Sequence, residues 1–303
     1  MNEPLPAGQS GFAPVRTLPG ILFMVGAVTV FALQDAITKH LVAAYPAPFF
    51  LMIRYWAFAA FALAIALRAR QPTLDVATSR APVQQIVRAL LLYFSMILFA
   101  LGVRELKLAD THAILAAMPL MVTALSAPLL GEKVGWRRWL AVMFGFLGVL
   151  IILRPGLGVF QPAAAYALAC AVSLAFYNIL TRKVSRYDGF LTTFLFTGVI
   201  GAGAATAFGL LAWSNPTPGD WGLIGALCIT SILGHFLLIR ALESAPAAVL
   251  QPFHYLILVW AIILGFVFFD ELPDLVTLTG GAVVVASGLF VVWREHAASR
   301  RAP

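Results

Sequence analysis

Charge is the scarce commodity in this chain. Only 11% of its 303 residues are Asp, Glu, Lys or Arg, against 61% hydrophobic ones, a balance far from that of soluble globular proteins. No polar stretch is long enough for a separate soluble domain. Cysteine is nearly absent: Cys170 and Cys228 fall inside apolar segments, form no metal-ligand spacing and read as ordinary lipid- or core-facing thiols. The five histidines are scattered without an HExxH, and GxSxG, an intramembrane aspartate dyad and GxxxxGK[ST] are missing. No motif therefore supports an intramembrane enzyme, and no metal or cofactor is expected. The formal charge of +7 comes from basic residues standing singly between apolar segments, so nucleic acid is not an expected partner.

What the chain has in abundance is apolar runs near the ~20 residues that cross a bilayer. They lie at roughly 20–39, 47–67, 84–103, 109–130, 136–153, 162–182, 189–213, 219–240, 246–269 and 275–293. This predicts an all-α polytopic membrane protein of ten transmembrane helices. Arg16, Arg68, Arg70, Arg80, Lys133, Arg137, Arg138, Arg182, Lys183, Arg186, Arg240, Arg294, Arg300 and Arg301 fall on one side. Only Lys39, Arg104, Lys107 and Arg154 fall on the other, which by the positive-inside rule places both termini in the cytoplasm. No cleavable signal is evident in the first 17 residues, so the first helix is expected to direct insertion itself.

The end of the first run, FALQDAITKH, recurs: shifting by 143 residues lays Asp35 on Asn178, Thr38 on Thr181 and Lys39 on Arg182, and pairs Pro19 with Pro162. Later parts agree more loosely, with Gly131-Glu132 echoed by Asp270-Glu271, and Ala141 and Gly148 by Gly281 and Gly288. Five helices per half is an odd number, so the second half enters the membrane upside down. The expected divisions are tails at 1–17 and 294–303 around five-helix repeats at 18–153 and 160–293. Inverted repeats with a midplane cavity between them characterise many secondary transporters.

On these residues, together with Arg54, Pro119 and the glycines named above, the chain resembles the EamA-type drug/metabolite transporters over nearly its whole length. Within them it is most similar to the bacterial YddG-type amino-acid exporters. That resemblance implies two inverted halves around a central cavity open to one side at a time. Two departures stand out: Arg54 has no basic counterpart in the seventh helix, and Leu258 stands near where the ninth would echo Pro119.

Asp35 lies about 16 residues into an outward-running helix and Asn178 equally far into an inward-running one, so the pair marks opposite mouths. Asp35 and Lys39, at i and i+4, read either as a helix-end ion pair with Lys39 snorkelling or as an external gate, since an intramembrane carboxylate is costly and rare. Gln34 is assigned to the same gate. Asn178 with Arg182 or Lys183 is the expected inner counterpart, or a cytoplasmic anchor. Arg54, flanked by Tyr55 and Trp56, is either bonded to neighbouring backbone or attracts an anionic group such as a carboxylate.

At mid-depth stand Tyr93 and Ser95, Ser173 and Tyr177, Thr230 and Ser231, and Gln251, His254 and Tyr255. Trp56, Tyr93, Tyr177, Gln251, His254 and Tyr255 are the expected substrate contacts as a group, though a single such residue is more often an interhelical hydrogen bond than a ligand contact. His254 is a second candidate, after Asp35, for proton coupling. Pro119 and Pro252 predict hinges or fixed kinks.

The sequence thus points to a secondary transporter in a bacterial inner membrane, exporting aromatic or other neutral amino acids or similar metabolites by alternating access. A small solute and the bilayer are its expected partners, as a monomer or weak oligomer. Uptake of a larger metabolite such as a cofactor or nucleoside is the alternative; a channel or a lipid-handling enzyme is the alternative of another class.

Overall fold

The computed structural model describes residues 17–68, 77–130, 135–154, 162–245, 250 and 253–299. Among them there is helix and no strand. Hydrocarbon offers a backbone no hydrogen-bond partner, and a helix satisfies its N–H and C=O groups internally. The helices are α1 (Thr17–Ala44), α2 (Ala47–Arg68), α3 (Pro82–Glu105), α4 (Leu108–Leu115), α5 (Met118–Leu130) and α6 (Trp136–Leu153). The second half supplies α7 (Ala163–Val184), α8 (Phe190–Gly209), α9 (Pro218–Ser244), α10 (Leu256–Phe269) and α11 (Leu275–Ser299). Seven stretches are long and apolar enough to cross a membrane, and Trp139–Leu153, Leu256–Phe269 and Leu275–Val291 are shorter apolar helices.

The fourth apolar run, expected as one helix, is two. α4 and α5 part at Ala116–Ala117, where Ala117 bonds back only three residues to Ile114. Pro119 accounts for the break: it has no N–H to give to the Leu115 carbonyl and its ring crowds that carbonyl, so the ladder resets just upstream. The ninth run begins in residues of which 246–249 and 251–252 lie outside those described, Pro252 among them.

α1 lies along α9 and α3 along α7, while α2 faces α8 and α6 faces α11. Every one of these pairs joins one half of the sequence to the other. Exchanging the halves turns the first pair into the second and maps the last two onto themselves, so the packing is symmetric in the halves.

Small residues set these approaches. Ala167, Ala171 and Ala175 are fully buried at four-residue spacing on α7, and a side chain on Gly102 of α3 would sit 3.5 Å from the Ala167 backbone. Lipid gives helices no hydrophobic drive to associate, so close backbone contact supplies the attraction. Large apolar side chains point outward instead, among them Met143 (65% exposed), Leu147, Val267 and Phe268.

The α6–α11 crossing is the tightest test of this packing. A Cβ on Gly148 would lie 2.8 Å from the Gly280 carbonyl oxygen and 2.8 Å from Val284. Gly148→Val is expected to lower the thermal midpoint of detergent-purified protein, at the ~1–3 kcal/mol typical of overpacking. Gly203→Ala, where nothing lies within 4 Å, should leave the midpoint unchanged or raise it.

Candidate functional site

The structure rearranges the pairing expected at the end of α1. Lys39 does not bond Asp35 and does not snorkel: it is 7% exposed, with Nζ 2.8 Å from Glu271 Oε1 and donating to the Leu106 carbonyl at 2.6 Å. The ring of Phe269 lies 5.3 Å from the same ammonium. Glu271 also accepts from the Leu108 amide at 3.2 Å, at the positive end of α4. It turns back to do so because Asp270 caps α10 in the left-handed region at φ 53, a conformation short polar side chains tolerate. One ion pair thus ties α1, the α3–α4 link and the end of α10 into a latch.

Asp35 points elsewhere, to His112 of α4, with Oδ2 and Nε2 3.2 Å apart but without hydrogen-bond alignment. Both are largely buried, and the His112 ring packs on Phe99. Gln34 is buried beside them on α1, and its Oε1 finds no hydrogen-bond partner among the described residues.

Arg54 occupies the middle of the bundle. It is 8% exposed, its Nε donates to Ser231 Oγ at 3.1 Å, and its Nη1 meets only the Met96 thioether at 3.7 Å. No carboxylate touches it among the described residues. The guanidinium lines a cavity of about 50 Å³ with Tyr55, Phe58, Thr197, Ser231 and His235. Imidazole Nδ1 of His235 sits 2.8 Å from the Ser231 carbonyl, which can only accept, so Nδ1 carries the proton. Rings of Phe31 and Phe58 hold that imidazole edge-on at 5.3 Å each. Such a volume takes a few waters and no metabolite, so occupancy requires the helices to part.

A second arginine closes the opposite end. Arg88 is 1% exposed and donates to Thr193 O at 2.7 Å, Thr197 Oγ1 at 2.6 Å and Gln85 Oε1 at 3.0 Å. The Gln85 amide then donates to Asp188 at 2.8 Å, so Gln85 relays a carboxylate to the cation. Asp188 also accepts from Ser79 Oγ and the Arg80 amide. Burial alone would raise the Asp188 carboxyl, but these donors outweigh it and hold it below the usual carboxylate range. Gln85 and Leu106, near the two ends of α3, are about 30 Å apart at the helical rise.

The other expected contacts disperse. Trp56 is 42% exposed and donates to Thr206 Oγ1, which places its ring at the surface and outside the Arg54 cavity lining. Tyr93 is fully buried against Tyr55, Phe94 and Phe208, which removes it from the cavity wall. Tyr177 accepts from Arg88 at 3.3 Å and supports its ring-face contact, and Tyr255 packs on Gly288. Asn178 donates to the Leu174 carbonyl of its own helix at 2.7 Å and to the Met118 thioether at the start of α5 at 3.6 Å. Gln251 lies outside the described residues. His254 lies within electrostatic reach of both His112 and Asp35.

Sequence reasoning passed over His112, His235, Gln85 and Asp188. A buried His on an apolar helix carries no local signal, and Asp188 sits in a link that reads as ordinary loop.

Comparison with known proteins agrees with this architecture. A model of the EamA-like transporter family matches residues 18–154 and again 161–293. The S-adenosylmethionine uptake transporter of Rickettsia bellii is 29% identical over 221 residues, covering 73% of this chain and 76% of that one. The pseudopaline exporter CntI of Pseudomonas aeruginosa strain UCBPP-PA14 is 28% identical over 88% of this chain and 94% of its own. A riboflavin transporter of Rhizobium johnstonii is 26% identical over 95% of each. A solved crystal structure superposes with a TM-score of 0.62 over 94% of this chain and 98% of the other, at 18% identity, which establishes the fold.

The latch makes its own prediction. Lys39→Met strands Glu271 in a quarter-exposed site and should destabilise the protein by ~1–3 kcal/mol, below the full cost of breaking a buried pair. Adding Glu271→Met should recover part of that loss. Thermal unfolding of the four proteins of the cycle checks it; additive losses would mean the two residues do not interact.

Proposed function

This chain belongs to the EamA-like transporter family, a family of multi-pass membrane transporters and not of enzymes, and we propose that it exports amino acids or similar small carboxylated metabolites by alternating access. The observation that carries this reading is Arg54: a cation buried in the bundle, lining a cavity, with no carboxylate against it among the described residues. A buried charge is tolerated when paired or well hydrogen-bonded. Arg54 has a neutral hydroxyl and a thioether, so the bonds a carboxylate would make are left for the substrate.

The finer topology belongs to the same proposal. Ten crossings in two inverted halves, with both termini in the cytoplasm of a bacterial inner membrane, are supported by the symmetric packing of the halves and by the bias of Lys and Arg to one side. The latch at Lys39–Glu271 and the cluster at Arg88–Gln85–Asp188 serve as outer and inner gates. Each must part for its mouth to open, and the substrate's carboxylate holds Arg54 while one is exchanged for the other.

Uptake of a larger metabolite is the second reading. Relatives named for S-adenosylmethionine uptake and for riboflavin favour it, whereas the relative named as an exporter favours the first.

Purified protein in liposomes should show saturable counterflow of labelled amino acids; failure across a broad panel removes the substrate assignment, and non-saturating flux points to a channel. Arg54→Ala should lose transport of carboxylated substrates by about ten- to a hundredfold, matching the ~1.5–3 kcal/mol of a hydrogen bond to a charged group. Expression and monodispersity should be retained; their loss would mark Arg54 as scaffold.

A further inference from the structure

We infer that the charges at the centre of this protein couple the movement of an anion to a proton and leave the movement of a zwitterion uncoupled. The inference rests on the reading of Arg54 as the carboxylate site.

Consider which charges in the interior have partners. Lys39 is neutralised by Glu271 at 2.8 Å. Arg88 is linked through Gln85 to Asp188 at the far end of α3. Three entities remain: Arg54, the Asp35–His112 pair at 3.2 Å, and Asp110 on α4, whose buried Oδ1 has no hydrogen-bond partner among the described residues. The titratable and charged groups facing the pair are Lys39 on α1 itself, Arg54 from α2, Cys170 from α7 and His254 ahead of α10. On α9, Cys228 and His235 lie on the Arg54 side. None of these adds a carboxylate, and Asp110 faces Lys107, Asp274 and Glu271 in a separate pocket with Arg154, so the balance around the cavity is set by Arg54, the pair and the substrate.

With the cavity empty and the pair deprotonated, Arg54 contributes +1 and the pair −1, and the interior is neutral. A bound monoanion cancels Arg54 and leaves the pair's negative charge uncompensated, unless the pair takes one proton. A bound zwitterion brings its own ammonium, and the sum returns to zero with no proton taken. Enclosing an uncompensated charge in an apolar interior carries a large desolvation penalty, so the occluded state that must be crossed forms readily only at zero sum. An anion therefore crosses together with one proton, which enters the pair from the water on the open side and leaves to the other side. A zwitterion crosses alone, and both cycles are electroneutral.

This makes direction depend on substrate chemistry. An inward proton gradient drives anions inward and concentrates them, while a neutral amino acid only runs down its own gradient. Export of an accumulated amino acid and uptake of an acid are then two modes of one carrier.

The test uses the full-length chain in liposomes containing a fluorescent pH indicator, with phenylalanine as the zwitterion and N-acetylphenylalanine as the monoanion. N-acetylphenylalanine influx should acidify the lumen by one proton per molecule, and an inward proton gradient should speed it at least about tenfold. Phenylalanine influx should leave the luminal pH unchanged. Proton movement with both solutes, or with neither while flux is present, overturns the inference and leaves the carboxylate site standing. Absence of flux for both solutes at every pH overturns the carboxylate reading and this inference with it. Asp35→Asn fixes the pair at its protonated charge, so the ratio of net N-acetylphenylalanine uptake to its exchange should fall at least about tenfold. An unchanged ratio in monodisperse protein would contradict the role of the pair.

Discussion

Bulk water does not reach the packed interior of a membrane-spanning bundle, and a charge placed there is costly unless it is neutralised or hydrogen-bonded. The bundle is arranged around that constraint. Lys39 meets Glu271, Asp35 meets His112, and Arg88 reaches Asp188 through a glutamine whose amide is oriented by having a cation on one side and a carboxylate on the other. Among the described residues Arg54 is the one of these buried charges with no carboxylate, direct or relayed, bonded to it, and it lines the cavity. On the proposed reading, the exception is where a solute makes the bonds that the fold does not.

The two halves build this interior by exchange. α1 lies on α9 as α3 lies on α7, and the pairs α2–α8 and α6–α11 sit across the same division. Chemistry departs from that symmetry at the positions that matter. Along the 143-residue shift Asp35 falls on Asn178, and Arg54 falls on Thr197, whose hydroxyl accepts from Arg88. One mouth is therefore latched by a direct ion pair and the other by a relay through neutral groups. In the proposed alternating-access cycle, unequal latches would give the two closed ends unequal stabilities and so set a resting preference.

Helices and class were legible in the sequence because hydropathy and repeat are properties of contiguous segments. The sites were less so. An i, i+4 spacing invited Lys39 to pair with Asp35, yet Lys39 is drawn to Glu271 by a helix cap at Asp270 and a helix start at Leu108, both remote in sequence. Amphipathic rings looked like cavity lining, but depth along a helix does not fix its rotation. Trp56 therefore turns to the surface and Tyr93 into the core, while Ser231 does reach the cavity. Arg54 was visible as an anomaly; that it has no carboxylate emerges only when α2, α3 and α9 are brought together.

A substrate-bound structure in a lipid nanodisc bears most directly on the claim that Arg54 waits for a carboxylate. The account predicts the bound solute's carboxylate within hydrogen-bond distance of the Arg54 guanidinium, in an enlarged cavity between α2, α3, α8 and α9. A solute held elsewhere, with Arg54 still bonded only to Ser231 and Met96, would contradict it.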